Sequence, residues 1–227
     1  MLKYKNLIII GTSHIAESSL DEIEYVFQKE NPELVAVELD HNRLYSLLAD
    51  KKPNYSPAII SQIGLKGYLF ALIGGLIQQK LGDVVGIKPG SDMLRAVQLA
   101  QKNSKKLALI DQDIRVTLGR LSKTLGWKEK FHFFIDIFSA PFSKKMRIDL
   151  SKVPEKELIK KLLKLMKKRY PGLYKALVEE RNRFMALKLK SLMEAYEDIK
   201  ILAVIGAGHE DDLLALIKKP RAQGKLI

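Results

Sequence analysis

Four short apolar runs constrain this chain more than any other feature: Lys5–Ile10, Leu34–Leu39, Lys106–Ile110 and Lys200–Ile205. None alternates apolar with polar residues, so each reads as a strand covered on both faces, the pattern of a parallel sheet between helices. An amphipathic helix over about 19–30, closed by Asn31-Pro32, separates the first two runs. A second helix over 91–102 leads into the third run, and a third over 210–218 follows the fourth. Strand–helix–strand units with such short connections take a right-handed crossover. The expected architecture is α/β, a mainly parallel central sheet in a single domain over residues 1–227, long enough to bury a sizeable core.

Two helical insertions are expected within that frame, at about 53–82 and 124–197. Between Pro53 and Gln79 there is a single charge, Lys66. Pro53, Pro57, Gly64, Gly67, Gly74 and Gly75 break the segment, and its longest charge-free stretches are 13 residues. A membrane span needs about 20 apolar residues in a row. The segment therefore reads as a buried or interfacial helical pair, with membrane association or a homo-oligomer contact as its alternative uses. The second insertion opens with Trp127, Phe131, Phe133, Phe134, Phe138 and Phe142, six of the chain's 17 aromatics. Such a cluster packs helices together or forms a hydrophobic wall for a substrate.

Charge narrows the function classes. The net charge is +13, and residues 141–190 hold 16 Lys/Arg against 5 Asp/Glu. Within that segment, Leu158, Ile159, Leu162, Leu163, Leu165 and Met166 form one helical stripe, with Lys160, Lys161, Lys164, Lys167 and Lys168 off it. The lysines are then a solvated face rather than a nucleic-acid footprint, and Leu158, Leu162, Leu163 and Met166 are expected to face inward. The chain has no cysteine, which excludes disulfide scaffolds, iron–sulfur sites and thiol catalysis. Its first residues carry no signal-peptide pattern, so a cytoplasmic location is expected.

The chemistry concentrates where the runs end. Of four histidines, two follow a run with the same spacing: Gly11-Thr12-Ser13-His14 and Gly206-Ala207-Gly208-His209. The glycine lets the chain leave the strand, and the imidazole lands at the carboxyl edge of the sheet, where open α/β sheets bind ligands. With parallel neighbouring strands the two imidazoles should lie within about 12 Å of each other. The second run delivers Glu38 and Asp40, with Arg43 one turn later, and the third delivers Asp111 and Asp113. Imidazoles and carboxylates on one rim suit a divalent metal or acid–base centre. Taken singly, each carboxylate reads equally well as a helix cap. No P-loop, H-E-x-x-H or G-x-S-x-G is present, and Gly206-Ala207-Gly208 lacks the third glycine of a dinucleotide loop.

Taken in order, these motifs resemble one family. Gly11-Thr-Ser-His14, Val37-Glu38-Leu39 with Arg43, Pro89-Gly90-Ser91-Asp92-Met93, Ile110-Asp111-Gln112-Asp113-Ile114 with Thr117 and Arg120, Glu180-Arg181-Asn182 with Met185-Ala186, and Gly206-Ala-Gly-His209 are similar to the TraB family. That family includes pheromone-shutdown proteins, and its superfamily includes Tiki and GumN. The resemblance covers essentially the whole chain. It implies a core shared with erythromycin-esterase-like and ChaN-like proteins. It also implies a metal-dependent peptidase of the Tiki type acting on short peptides, with manganese or cobalt as the metal. Carried over by position, His14, Glu38 and His209 are the catalytic and metal-binding residues, and Arg43, Asp111, Arg120, Glu180, Arg181 and Asn182 support them. Asp92 stands where relatives often have Glu, and Gln112 where they usually have Arg, which bears on substrate choice. The alternative is a protein that sequesters a peptide or small molecule in the same pocket without turnover.

Overall fold

The computed structural model describes residues 1–12, 17–49, 61, 68, 90–124, 126, 129, 132 and 155–220. Its centre is a five-stranded sheet of β1 (Leu2–Tyr4), β2 (Leu7–Thr12), β3 (Leu34–Val37), β4 (Lys106–Leu109) and β5 (Ile201–Gly206), in the order β1-β2-β5-β3-β4. Four strands run parallel, as their apolar runs require, and β1 pairs antiparallel with β2. The sheet is therefore α/β and mostly parallel, with one added edge strand that the sequence pattern misses. β1 is three residues long, and its turn at Lys5-Asn6 carries no glycine although Lys5 takes a positive φ of 52°. The Asn6 amide secures that corner by donating to the carbonyls of Tyr196 (2.7 Å) and Ile199 (3.1 Å).

Alternate residues of the strands face two separate cores. On one side Ile8, Ile10, Val35, Val37, Leu202 and Val204 meet α1 (Glu17–Glu30) and α3 (Ser91–Lys102). On the other, Leu7, Ile9, Leu34, Ala36, Ile201, Ala203 and Ile205 meet α7 (Glu180–Ala195) and α8 (Glu210–Lys218). α7 lies within the stretch that the sequence pattern assigns to the second insertion, yet Met185, Ala186, Leu189 and Met193 make it a layer of the core. β2, β3 and β5 are wholly buried, whereas β4 is an edge strand whose residues keep partial exposure.

The strand order explains which face each helix takes. The chain steps from β2 over the place of β5 to β3 and on to β4, with α1 and α3 on one face. It then returns to β5 through α7 on the other face. A fixed crossover hand demands this switch when the direction of travel reverses. β5 thus exits toward α8 on the face opposite α1 and α3, which opens a crevice at its carboxyl end.

Four further helices are described, α2 (His41–Leu48), α4 (Ile114–Thr124), α5 (Glu155–Arg169) and α6 (Pro171–Tyr174), with a π-helical turn Lys175–Glu179 leading into α7. The α5 lysines 160, 161, 164, 167 and 168 are exposed, and Leu158, Leu163 and Met166 are half-buried. Leu162 departs from the expectation at 47% exposed, and Leu165, also on the apolar stripe, is 59% exposed. The reason is a narrow contact: Ile159 and Leu163 form the edge of α5 that meets the backbone at Gly208. Among the described residues no helix is long and apolar enough to cross a membrane. The first insertion apart from Ser61 and Tyr68, the aromatics of 127–142, and His14 lie outside the described residues. The expected approach of His14 to His209 falls with them.

The two sides of α7 make a direct test of the layer assignment. Leu189 is fully buried and Leu187, two residues away, is 57% exposed. Leu189→Ala should cost about 2–5 kcal/mol in urea unfolding, and Leu187→Ala should stay within about 0.5 kcal/mol. Equal effects would place α7 off the sheet.

Candidate functional site

Register delivers the site. Thr12 pairs with Gly206, Val37 with Val204, and Leu109 with Val37, so the residues after each parallel strand emerge at one rim. Glu38 follows β3 and stands beside Gly206, whose N–H donates to Glu38 Oε2 at 2.7 Å. Asp111 follows β4 and is held by the Gln112 N–H at 2.8 Å. The turn after β5 is closed by the His209 N–H on the Gly206 carbonyl at 2.9 Å, which starts α8 and turns the imidazole inward. Gly11 serves packing here rather than a positive φ. A Cβ on it would sit 2.5 Å from Glu210 Oε2 and 3.0 Å from the Ala207 backbone, so any larger residue would push the Glu210 carboxylate aside and crowd the exit of β5.

Arg181 occupies the middle. Its Nε and Nη2 donate to the two oxygens of Asp111 at 3.1 and 2.7 Å, and Nη2 also donates to Glu38 Oε1. Nη1 lies 3.4 Å from His209 Nε2 and donates to the Leu177 carbonyl at 3.3 Å, in the π-helical turn. Burial works against the Arg181 charge, but the carboxylates of Glu38 and then Asp111 outweigh it and raise the pKa above the ordinary arginine value. Among the described residues two carboxylates face this one guanidinium, and Arg43 approaches Asp111 from the rim at 3.7 Å.

Asn182, 1% exposed, sets the imidazole. Its Oδ1 lies 2.5 Å from His209 Nδ1. A guanidinium only donates and an amide oxygen only accepts, so the ring proton belongs on Nδ1 and Nε2 offers its lone pair to the centre. Nε2 itself is 3.4 Å from Glu38 Oε1. Beside this group, the buried Thr12 hydroxyl bonds to Asp92, joining the end of β2 to the first turn of α3.

The residues expected at the site therefore divide. Glu38, Asp111, Arg181, Asn182 and His209 converge, with Arg43 at their edge. Arg120 and Glu180 instead pair with each other at 3.1 Å on the outer side of α4 and α7. Asp40 is a helix cap, accepting from the Asn42 and Arg43 N–H groups at 2.8 and 3.1 Å. Asp113 is held below the ordinary carboxylate range by Arg115, which donates to it from side chain and backbone at the start of α4. Gln112 donates to the Thr117 hydroxyl at 2.8 Å and is committed to the loop. Hydrophobic periodicity alone does not find Arg181, which sits in a run of charged residues. Asn182 does leave a trace, because it falls on the same helical stripe as Met185, Ala186, Leu189 and Met193.

A cleft of about 210 Å³ reaches Asp111 between His41, Asn42, Gln112 and Phe184. A second, of about 220 Å³, runs beside Ala207 and Gly208 against Leu163, Lys164 and Tyr174. Each is smaller than a typical pocket for a whole drug-sized ligand, which is roughly 300–1,000 Å³.

Removing the central cation should be costly. Arg181→Met strands two buried carboxylates, and urea unfolding should show a loss of about 3–5 kcal/mol. Arg181→Lys should recover part of it, because an ammonium cannot fork between Glu38 and Asp111. A loss under about 1 kcal/mol would mean that the pair behaves as a solvated surface contact.

The chain also matches known proteins along most of its length. A profile of the TraB/PrgY/gumN family matches residues 3–224. An uncharacterised protein of Methanocaldococcus jannaschii is 34% identical over 221 residues, covering 94% of this chain and 54% of that protein. The TraB domain-containing proteins of Mus musculus and Homo sapiens are each 23% identical over 227 residues, covering 88% of this chain and 60% of theirs. The chain thus spans between half and two thirds of the length of these relatives. With a family profile matched along nearly its whole length, the chain belongs to the TraB/PrgY/gumN family.

Proposed function

We propose that this chain is a metal-dependent hydrolase of short peptides, working at the carboxyl edge of its sheet. One observation carries the reading: Glu38 Oε1 and His209 Nε2 lie 3.4 Å apart on the same side of Arg181, with Nδ1 of the imidazole taken up by Asn182. An anionic oxygen and a neutral imidazole at that separation are donors that a divalent first-row ion takes. Asn182 occupies the position of the outer partner that fixes a metal-binding histidine through its other ring nitrogen. The described donors fit the ion in chemistry, and His14 is the third donor that the family resemblance supplies. Manganese or cobalt is the proposed metal. When bound, it would polarise a scissile carbonyl and lower the pKa of a bound water.

The chain's own residues prepare that chemistry. The Gly206 N–H holds Glu38 by Oε2, which leaves Oε1 on the side of Arg181 and His209. Arg181 and Asp111 hold a charge pair against Glu38 and keep the buried carboxylates from repelling one another. The two small clefts flank this group and suit successive side chains of an extended peptide.

The test is cleavage of a peptide library by the purified chain, with and without manganese, read by mass spectrometry. Metal-dependent products are expected. His209→Ala and Glu38→Gln should abolish them, and Asn182→Ala should reduce metal affinity or turnover by about 10–100-fold. Each variant is checked by thermal melting. A folded parent that binds peptide but yields no product with manganese or with cobalt in its place would overturn the hydrolase reading in favour of sequestration.

A further inference from the structure

We infer that Arg181 is the resident cation of this site: its guanidinium fills the place of a divalent ion between Glu38 and His209, and an ion loads only as Arg181 withdraws onto Asp111. The inference rests on the metal reading above and deepens it by naming the group that controls loading.

The guanidinium uses its two edges differently. The Nε–Nη2 edge forks onto Asp111 at 3.1 and 2.7 Å. The outer edge presents Nη2 to Glu38 Oε1 and Nη1 to His209 Nε2, the latter at 3.4 Å. Those two acceptors are the atoms that would ligate an ion, so one cation already covers both. A second cation in the same space would face Arg181 at a few ångströms in a poorly screened interior, where like charges repel strongly. The fork onto Asp111 does not involve Glu38, so Arg181 keeps a carboxylate when it releases the other. Asp111 is itself fixed, by the Gln112 N–H at 2.8 Å. Two buried carboxylates then serve two cations, Asp111 for Arg181 and Glu38 for the ion. Without the ion, the single guanidinium spans both carboxylates.

Isothermal titration of manganese into the whole chain tests this, using the parent, Arg181→Met, Arg181→Lys and Asp111→Asn, with melting curves to establish that each is folded. Arg181→Met should bind manganese about tenfold or more tightly than the parent, because the competing charge is gone. Asp111→Asn should bind more weakly, since it removes the carboxylate onto which Arg181 withdraws. Arg181→Lys keeps a charge without the fork and should fall between the parent and Arg181→Met. General loosening of the site would weaken binding in Arg181→Met and Asp111→Asn alike, so opposite signs are the diagnostic result. Should Arg181→Met fail to fold, Asp111→Asn decides, and unchanged or tighter binding there overturns the inference. A parent that binds manganese with Arg181→Met no tighter overturns this inference and leaves the metal reading standing. No binding in a folded parent and a folded Arg181→Met overturns both.

Discussion

The Arg181 guanidinium lies between the carboxylates of Glu38 and Asp111, and the rest of the site is arranged around that contact. Each carboxylate comes from the end of a different strand, and the arginine comes from a helix on one face of the sheet. Burying any one of these charges alone is expensive, since a desolvated ion without a partner costs several kcal/mol. The ends of β3 and β4 and the start of α7 are therefore tied to one another electrostatically as well as by packing. The π-helical turn before α7 contributes to the same point, because the Leu177 carbonyl within it accepts from Arg181. Such turns recur near functional sites, where they offset the side chains that follow from plain α-helical register.

Topology makes the contact available. β5, close to the end of the described chain, inserts between β2 and β3, so residues distant in sequence become hydrogen-bonded neighbours. The reversal of direction that brings β5 into the centre also puts α7 and α8 on the face opposite α1 and α3. The crevice at the carboxyl end of β5 follows from that reversal. The Gly11 exit and the Gly206–His209 turn meet there closely enough that a Cβ on Gly11 would crowd Glu210 and the Ala207 backbone.

Much of the frame is legible in the chain. The apolar runs identify four strands to within about two residues, and α3 and α8 fall at the expected bounds. The carboxylates and the histidine after those runs lie at one rim because parallel register allows no other arrangement. Periodicity fails at β1, which is too short to show a pattern, and at Leu162 and Leu165, whose helix touches its neighbours along a narrow edge. It also fails to rank the carboxylates. Asp40 and Asp113 stand at strand ends as Glu38 and Asp111 do, yet the first two turn back to cap helices.

The sequence by itself determined the fold class, the buried strands and the set of polar groups at their ends, because hydrophobic period and strand-end position are local properties of the chain. Only the tertiary structure decided which of those groups meet. Placing β5 between β2 and β3 joins His209 to Glu38, and laying α7 against the sheet brings Arg181 and Asn182 onto them across separations of 143 and 27 residues. Charge pairing of this kind depends on distances of a few ångströms between distant segments, and no local pattern records it.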